Sequence, residues 1–465
     1  MSLEIKLLPQ YQHLSSDGQS MILLDVRRGQ IIEVDRITAT IIEEGQRYGT
    51  FNDSVYESAM NLLELRGVAS EDINLYVDKV KELIQNGFFP ESEDKKDYDA
   101  VFNGIVLDVS QTCQLDCVYC FAGGGSYGNA ELSPLMSTEI GIKAVDFFFS
   151  IANPDAKRYS ITYFGGEPLL NWSLIQHLTD YAVTRSKAVG KEIGFSITTN
   201  GIGIDREKAQ FMKDHNFSLL ISIDGDQGLH NYLRPCRNNM INSYAATTDA
   251  VKHLSEVYDS ISGRATITSK CSDPRRVYDM LKDAGITDPL CIMVGANSGK
   301  DLELSADEVR EYTQGIVNLL HSDKGYVQRR IFLERVAKPN SVARTCGLGM
   351  SSIAVDSSGG IYGCHRLVAN ERYYVGSVHD GLIAERVNDL AKNVTAHNML
   401  GCRTCWCRFF CGGTCPSESY ESTGNHYFPD PRWCYVNQSL VEAAIEIYLS
   451  ELKNDSDRKD RVKSL

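Results

Sequence analysis

The sequence predicts an α/β protein built on a mostly parallel sheet, with a small winged-helix-like unit before it and a cysteine-rich region after it. Three observations predict this. Strand-like and helix-like stretches alternate six times between residues 104 and 330. The first 90 residues follow a different pattern, hairpin then helices. Eight of the 14 cysteines fall after residue 340.

In the N-terminal unit, 1–90, "SMILLDVRRGQIIEVD" reads as two strands turning at Arg28-Gly29. "ITATIIEEGQR" reads as a helix capped by Asp35. In "SEDINLYVDKVKELIQNG", Ile73, Tyr76, Val77, Val80, Leu83 and Ile84 share one helical face, and Gly87 is the stop signal. Residues 91–103 form a linker that includes the charged run "ESEDKKDYD".

Six apolar stretches in 104–330 are the strand candidates: 104–109, 159–164, 193–198, 218–223, 263–268 and 290–294. A helical stretch follows each, which implies a parallel sheet, either doubly wound or closed into an incomplete barrel. Both arrangements place reactive groups on loops after the C-terminal strand ends. Residues 340–437 are dense in Gly, Cys and turns, and 438–465 hold a last helix and a tail expected to fray.

The composition, 43% hydrophobic and 23% charged, is that of a soluble globular protein. A net charge of −14 argues against a nucleic-acid surface. The start of the chain lacks the apolar run of a signal peptide, and no stretch reaches the roughly 18 apolar residues of a membrane span. A cytoplasmic location is therefore expected, where thiols stay reduced. Clustered cysteines in that setting point to metal rather than disulfides. Cys236, Cys271 and Cys291 are scattered and read as small core residues.

"CQLDCVYC" follows the first barrel strand and sets Cys113, Cys117 and Cys120 in a C-x3-C-x2-C arrangement. Thiolates are soft ligands for zinc, copper(I) or iron–sulfur groups. A structural zinc site closes with four ligands, and this loop offers three. A cubane cluster held by three thiolates leaves one iron for a bidentate ligand.

C-x3-C-x2-C after the first strand, with Tyr119 before its last cysteine, resembles the signature of radical S-adenosylmethionine (SAM) enzymes. Supporting tetrapeptides fall in order at successive strand ends: "GGEP" (Gly165, Gly166, Glu167, Pro168), "TTNG" (198–201) and "SIDG" (222–225), with Arg234 beyond. The resemblance implies a partial (β/α)6 TIM-like barrel and a SAM-binding [4Fe–4S] cluster. It also implies hydrogen abstraction by a 5′-deoxyadenosyl radical. By position, the GGEP loop would hold the amino group of SAM, Ser222 and Arg234 its carboxylate or ribose, and Asp224 would line the site.

The later cysteines follow the order Cys346, Cys364, then Cys402, Cys405, Cys411, Cys415 and Cys434. That order resembles the SPASM extension, which houses two auxiliary [4Fe–4S] clusters in peptide and protein maturases. A zinc ribbon shares its C-x2-C pairs. Carried over by position, Cys402, Cys405, Cys411 and Cys434 would hold the distal cluster, and Cys346, Cys364 and Cys415 the nearer one. Where the family often places a fourth ligand to the nearer cluster, this chain has Asn340, so that cluster would be open at one iron unless the extra Cys407 closes it.

Formylglycine-forming sulfatase maturases carry an Asp after the cysteine that matches Cys364. This chain has His365, a candidate proton-transfer group. The run "CHRLVANERYYVGSV" is more similar to thioether-forming ranthipeptide, sactipeptide and SCIFF maturases, and the N-terminal unit resembles a PqqD-like precursor-recognition element. Such an element takes a leader peptide as an added strand on its hairpin edge. The resemblance thus implies a precursor peptide, a flavodoxin- or ferredoxin-type electron donor, and no nucleic-acid or membrane partner. Thioether formation is the reaction expected. Carbon–carbon or ether cross-linking and formylglycine formation are the alternatives.

Overall fold

The structure is a computed structural model, and it describes residues 11–14, 20–25, 30–48, 51–85, 100–129, 131–237, 241–296, 298–299, 301–337, 344, 346–396, 398–402, 405–454 and 462–464. The Arg28-Gly29 turn, the Gly87 stop, the charged run 91–99 and Asn340 lie outside these residues.

Near the N-terminus, β1 (Tyr11–Leu14), β2 (Ser20–Asp25) and β3 (Gln30–Asp35) form an antiparallel meander. The hairpin read from the sequence pairs Ser20 with Asp35 and Asp25 with Gln30. Asp35 caps the helix Arg36–Tyr48, its Oδ1 accepting from the Ile37 and Thr38 amides at 2.9 and 2.8 Å. A second helix, Asp53–Leu65, was not evident from the sequence; the third is Ser70–Gln85. Ile73, Val77, Val80 and Leu83 of that third helix are buried with Ile41, Ile42, Val55 and Ala59 in a core separate from the rest of the protein.

All six barrel strands form where the sequence placed them. They are β4 (Gly104–Ser110), β5 (Arg158–Gly165), β6 (Glu192–Thr199), β7 (Phe217–Ser222), β8 (Ser262–Ile267) and β9 (Asp288–Met293). They pair in parallel in that order, a run consistent with a partial barrel. Helices such as Thr138–Ile151, Trp172–Ala188 and Ser243–Ser255 connect them. Ile105, Leu107 and Val109 of β4 and Ile161 and Tyr163 of β5 are buried under those helices. Burial of alternate strand residues on this face leaves the other face of the strands for the cavity.

The barrel sheet does not end at β4. β10 (Ser352–Val355) pairs with it in parallel, and β11 (Gly360–Tyr362), β12 (Tyr374–Ser377) and β13 (Gly381–Leu382) continue antiparallel, giving ten strands. The last helix, Pro431–Asn454, packs on Ala306–Ser322 and Val327–Ala337.

The tail corrects an expectation. Instead of fraying throughout, β14 (Val462–Ser464) pairs in parallel with Ile31–Glu33 of β3. The outer edge of β3 presents unpaired backbone groups, and an extended segment satisfies them.

Candidate functional site

The loop after β4 carries Cys113, Cys117 and Cys120, and its backbone is clamped from one side. Asp116 N–H donates to Pro235 O (2.8 Å), Val118 N–H to Leu233 O (3.0 Å), and Arg237 N–H to Gln114 O (3.1 Å). On the other side it interlocks with the Gly-Gly-Glu-Pro loop after β5. Gly166 N–H donates to Ser110 O (2.7 Å) and Glu167 N–H to Thr112 O (2.9 Å). A Cβ on Gly166 would stand 2.4 Å from Thr112 O, so only glycine lets the two loops approach this closely.

Glu167 is fully buried and ties three loops together. Its carboxylate accepts from Leu169 N–H (3.0 Å), Thr199 Oγ1 (2.6 Å) and Asn200 N–H (2.8 Å). Burial outweighs these bonds and pushes its pKa up to about 7. The Asn200 amide that follows reaches Cys113 Sγ (3.8 Å).

A second buried network lies beneath the cysteine loop. Asp224 accepts from Arg234 Nε (2.8 Å) and Nη2 (3.1 Å), from Thr266 N–H (2.9 Å), and from the Tyr119 hydroxyl. The Arg234 guanidinium also lies over the Tyr119 ring, 5.4 Å from its centroid. His230 Nδ1 accepts the Asp224 N–H (3.2 Å), and burial, with Arg234 adding to it, lowers the His230 pKa to about 4.

These pieces surround one cavity of about 830 Å³. Cys113, Cys117, Tyr119, Cys120, Gly165, Gly166, Glu167, Ser222 and Arg234 line one part of it. Cys346, Cys364 and His365 line the opposite part. Burial, and next the charge of Cys415 at the start of the helix Pro416–Thr423, raise the pKa of both Cys346 and Cys364, which places the three thiols near one another. His365 stacks on Phe164 of β5, ring centroids 4.3 Å apart. Burial, then Arg366 and Arg264, hold its pKa down at about 4, so the ring is neutral at pH 7.

Cys402, Cys405, Cys411 and Cys434 line a separate hollow of about 550 Å³, with Cys407 among them. Cys407 is buried and hydrogen-bonds to Cys411, which keeps the Cys407 thiol protonated and lowers the pKa of Cys411. Cys236 and Cys291 are core residues, as expected, and Cys271 is half-buried.

The donor sets fit iron–sulfur groups. Burial pushes the thiols of Cys113 and Cys117 up to about 12 and 11, and those of Cys402 and Cys434 up to about 12. Bare thiolates are thus disfavoured, and a bound metal centre is what deprotonates such groups. Leu115 N–H points at Cys113 Sγ (3.4 Å) and Gly124 N–H at Cys120 Sγ (3.3 Å), as donors to sulfur charge do. Among the described residues, no three His, Cys, Asp or Glu side chains converge on a single metal ion.

Sequence reasoning passed over Arg264, Arg366, Glu418 and Glu421, which also line the cavity. Arg366 is held by Glu418 and by Glu421 (3.1 Å). An arginine between Gly263 and Ala265, inside a strand, was the one available signal.

Residues 107–269 match the Radical SAM superfamily. The chain contains a radical SAM domain. Such a domain implies a 4Fe–4S cluster and SAM, and the residues above fit both. The chain is 22% identical over 376 residues to the radical SAM cyclopropyl synthase TigE of Paramaledivibacter caminithermalis, covering 76% of each protein. It is 21% identical over 345 residues to a serine-type anaerobic sulfatase-maturating enzyme of Klebsiella aerogenes, covering 70% of this chain and 82% of that one. A solved structure of native anSMEcpe with bound AdoMet and Kp18Cys peptide superposes with a TM-score of 0.62 at 18% identity, covering 76% of this chain and 99% of that chain. At that identity the likeness is one of fold. The radical SAM domain spans β4 to the end of β8, and so includes Cys113–Cys120 and the glycine, Ser222 and Arg234 loops.

Proposed function

We propose that the protein is a radical SAM maturase that installs thioether cross-links in a ribosomally made precursor peptide. One observation carries the reading. The Cys113–Cys120 loop and Cys346 and Cys364 line a single cavity of about 830 Å³, within the size range of ligand pockets. Loaded, the site would supply a 5′-deoxyadenosyl radical by one-electron cleavage of the sulfonium C–S bond of SAM. Cys113, Cys117 and Cys120 would hold the SAM-binding cluster. Cys346, Cys364 and Cys415 would hold a nearer auxiliary cluster, and Cys402, Cys405, Cys411 and Cys434 a distal one, in a SPASM domain.

The chain's own residues do the positioning. Glu167 and Asp224 fix the loops around the cofactor space, and the glycine interlock holds the loops after β4 and β5 together. Neutral His365, stacked on Phe164, would accept or return a proton on the Cys364 side of the cavity. The β-meander at the N-terminus would bind the leader peptide as an added strand. On the β3 side that edge is taken by β14, so a leader there must displace the tail.

Replacing Cys113, Cys117 and Cys120 together with Ala should abolish SAM cleavage while iron remains at the other cysteines. The deciding experiment is anaerobic mass spectrometry of the reconstituted enzyme with SAM, a reductant and a Cys-containing precursor peptide encoded beside it. Loss of two hydrogens per cross-link, with the peptide cysteines no longer alkylatable, is the expected result. The same loss with every thiol alkylatable would move the bond to carbon or oxygen, and a formyl product would mark a sulfatase maturase.

A further inference from the structure

Among the described residues, every arginine lining the cavity has an acidic partner except one. Arg234 spends Nε and Nη2 on Asp224, and Arg366 is paired with Glu418 and Glu421. Arg264 lies opposite Ser222 of β7 and Leu290 of β9. Its neighbours Gly263 and Ala265 are buried on the far face of β8, so strand alternation turns Arg264 inward together with Thr266. Among the described residues its side chain enters no ion pair, unlike Arg234 and Arg366.

The Arg264 side chain is exposed to the cavity's free space. The guanidiniums of Arg366 and Arg234 stand near it, and arginine keeps its charge in such a setting. An anion that enters the cavity therefore meets a guanidinium with no committed partner. Glu418 is near enough to act on it, but its Oε1 is committed to Arg366 and its Oε2 is buried without a partner.

We infer that Arg264 receives a carboxylate that enters the cavity with a ligand, held by the two-pronged hydrogen bonding that a guanidinium offers. Resting on the maturase reading above, two sources fit: the α-carboxylate of SAM, or an Asp, Glu or C-terminal carboxylate of the peptide being modified. In either case Arg264 is a positioning residue whose charge is matched only when the site is filled.

The test uses the full-length, cluster-loaded protein and its Arg264→Gln and Arg264→Lys variants, first matched for iron content and cluster absorption. Anaerobic equilibrium binding is then measured for SAM, for decarboxylated SAM, and for the neighbouring precursor peptide with and without its carboxylates amidated. If SAM is the source, the wild type prefers SAM to its decarboxylated form by about tenfold or more. R264Q then collapses that preference, and R264K restores part of it. If the peptide is the source, the SAM preference is unchanged, and R264Q weakens the acidic peptide by about tenfold while leaving the amidated one alone. The inference is overturned if R264Q binds every ligand as the wild type does, or weakens carboxylate and carboxylate-free forms equally. A wild-type protein that binds no SAM at all would instead sink the maturase reading and the SAM arm, and the peptide arm would still decide the role of Arg264.

Discussion

Asp224 and Arg234 are a buried pair, their side chains 1% and 10% exposed, and together they carry the floor of the cysteine loop. Truncating Asp224 to Ala strands the guanidinium of Arg234 and removes the acceptor for Tyr119 and the Thr266 amide. Breaking one side of a buried pair costs about 3–5 kcal/mol. A domain of roughly 200 residues has an unfolding entropy of about 0.4 kcal/mol per degree, so 4 kcal/mol should lower its melting temperature by about 10 °C. The double change Asp224→Leu with Arg234→Met removes both charges, and replacing a buried pair by apolar residues is close to neutral. The double variant should therefore melt several degrees above D224A, with a coupling of about 2–3 kcal/mol between the sites. Thermal unfolding of the wild type, the Asp224→Leu and Arg234→Met single variants and the double variant, followed anaerobically by fluorescence beside D224A, measures this. Additive losses would refute the claim that the pair acts as a unit.

Gly166→Ala places a methyl 2.4 Å from Thr112 O and should cost about 1–3 kcal/mol through overpacking, with iron lost from the Cys113–Cys120 loop. Gly190→Ala has open space around its Cβ at φ +67°, so it should cost about 1–2 kcal/mol in backbone strain and leave the iron in place. His230 is held neutral in the folded protein down to about pH 4, whereas the unfolded chain takes up its proton near pH 6.5. Stability from this residue is therefore complete above pH 6.5 and is lost as the pH falls toward 4. His230→Asn, which keeps an acceptor for Asp224 N–H, should flatten that dependence by up to about 1.4 kcal/mol per pH unit, read from melting temperatures between pH 4.5 and 7. An unchanged slope would mean that the ring is not protected. Ending the chain after Asn454 removes β14 from the β3 edge; precursor affinity, read by fluorescence anisotropy, should rise severalfold, and no change would place the leader elsewhere.

The barrel was legible because buried parallel strands read as short apolar runs such as "GIVLDV" and "YSITYF", each followed by a helical stretch. Asp35 was legible as a cap because its side chain acts on residues just after it, the Ile37 and Thr38 amides and the Thr38 hydroxyl. β10 to β13, with two to four residues each, are too short to show a period, and they exist because β4 offers an edge. β14 is invisible for the same reason, since its partner lies at the other end of the chain. At the site, spacing set apart Cys113, Cys117 and Cys120, whereas the later cysteines were grouped by their resemblance to a known pattern, since Cys346, Cys364 and Cys415 come from distant segments. Spacing was silent on Arg264, whose meaning depends on which other arginines are already paired.

The pairing of β10 with β4 has a mechanical consequence. Cys113 lies beyond the C-terminal end of β4, whereas Cys364 follows β11, two ladder steps across and running the other way, so the two lie toward opposite ends of the sheet. The wall joining the two thiol groups is thus continuous hydrogen-bonded backbone, Ser352 against Gly104 through Val355 against Leu107. Widening the cavity along that wall means tearing a ladder, not turning a hinge. The ladder therefore holds the two thiol groups at a fixed separation.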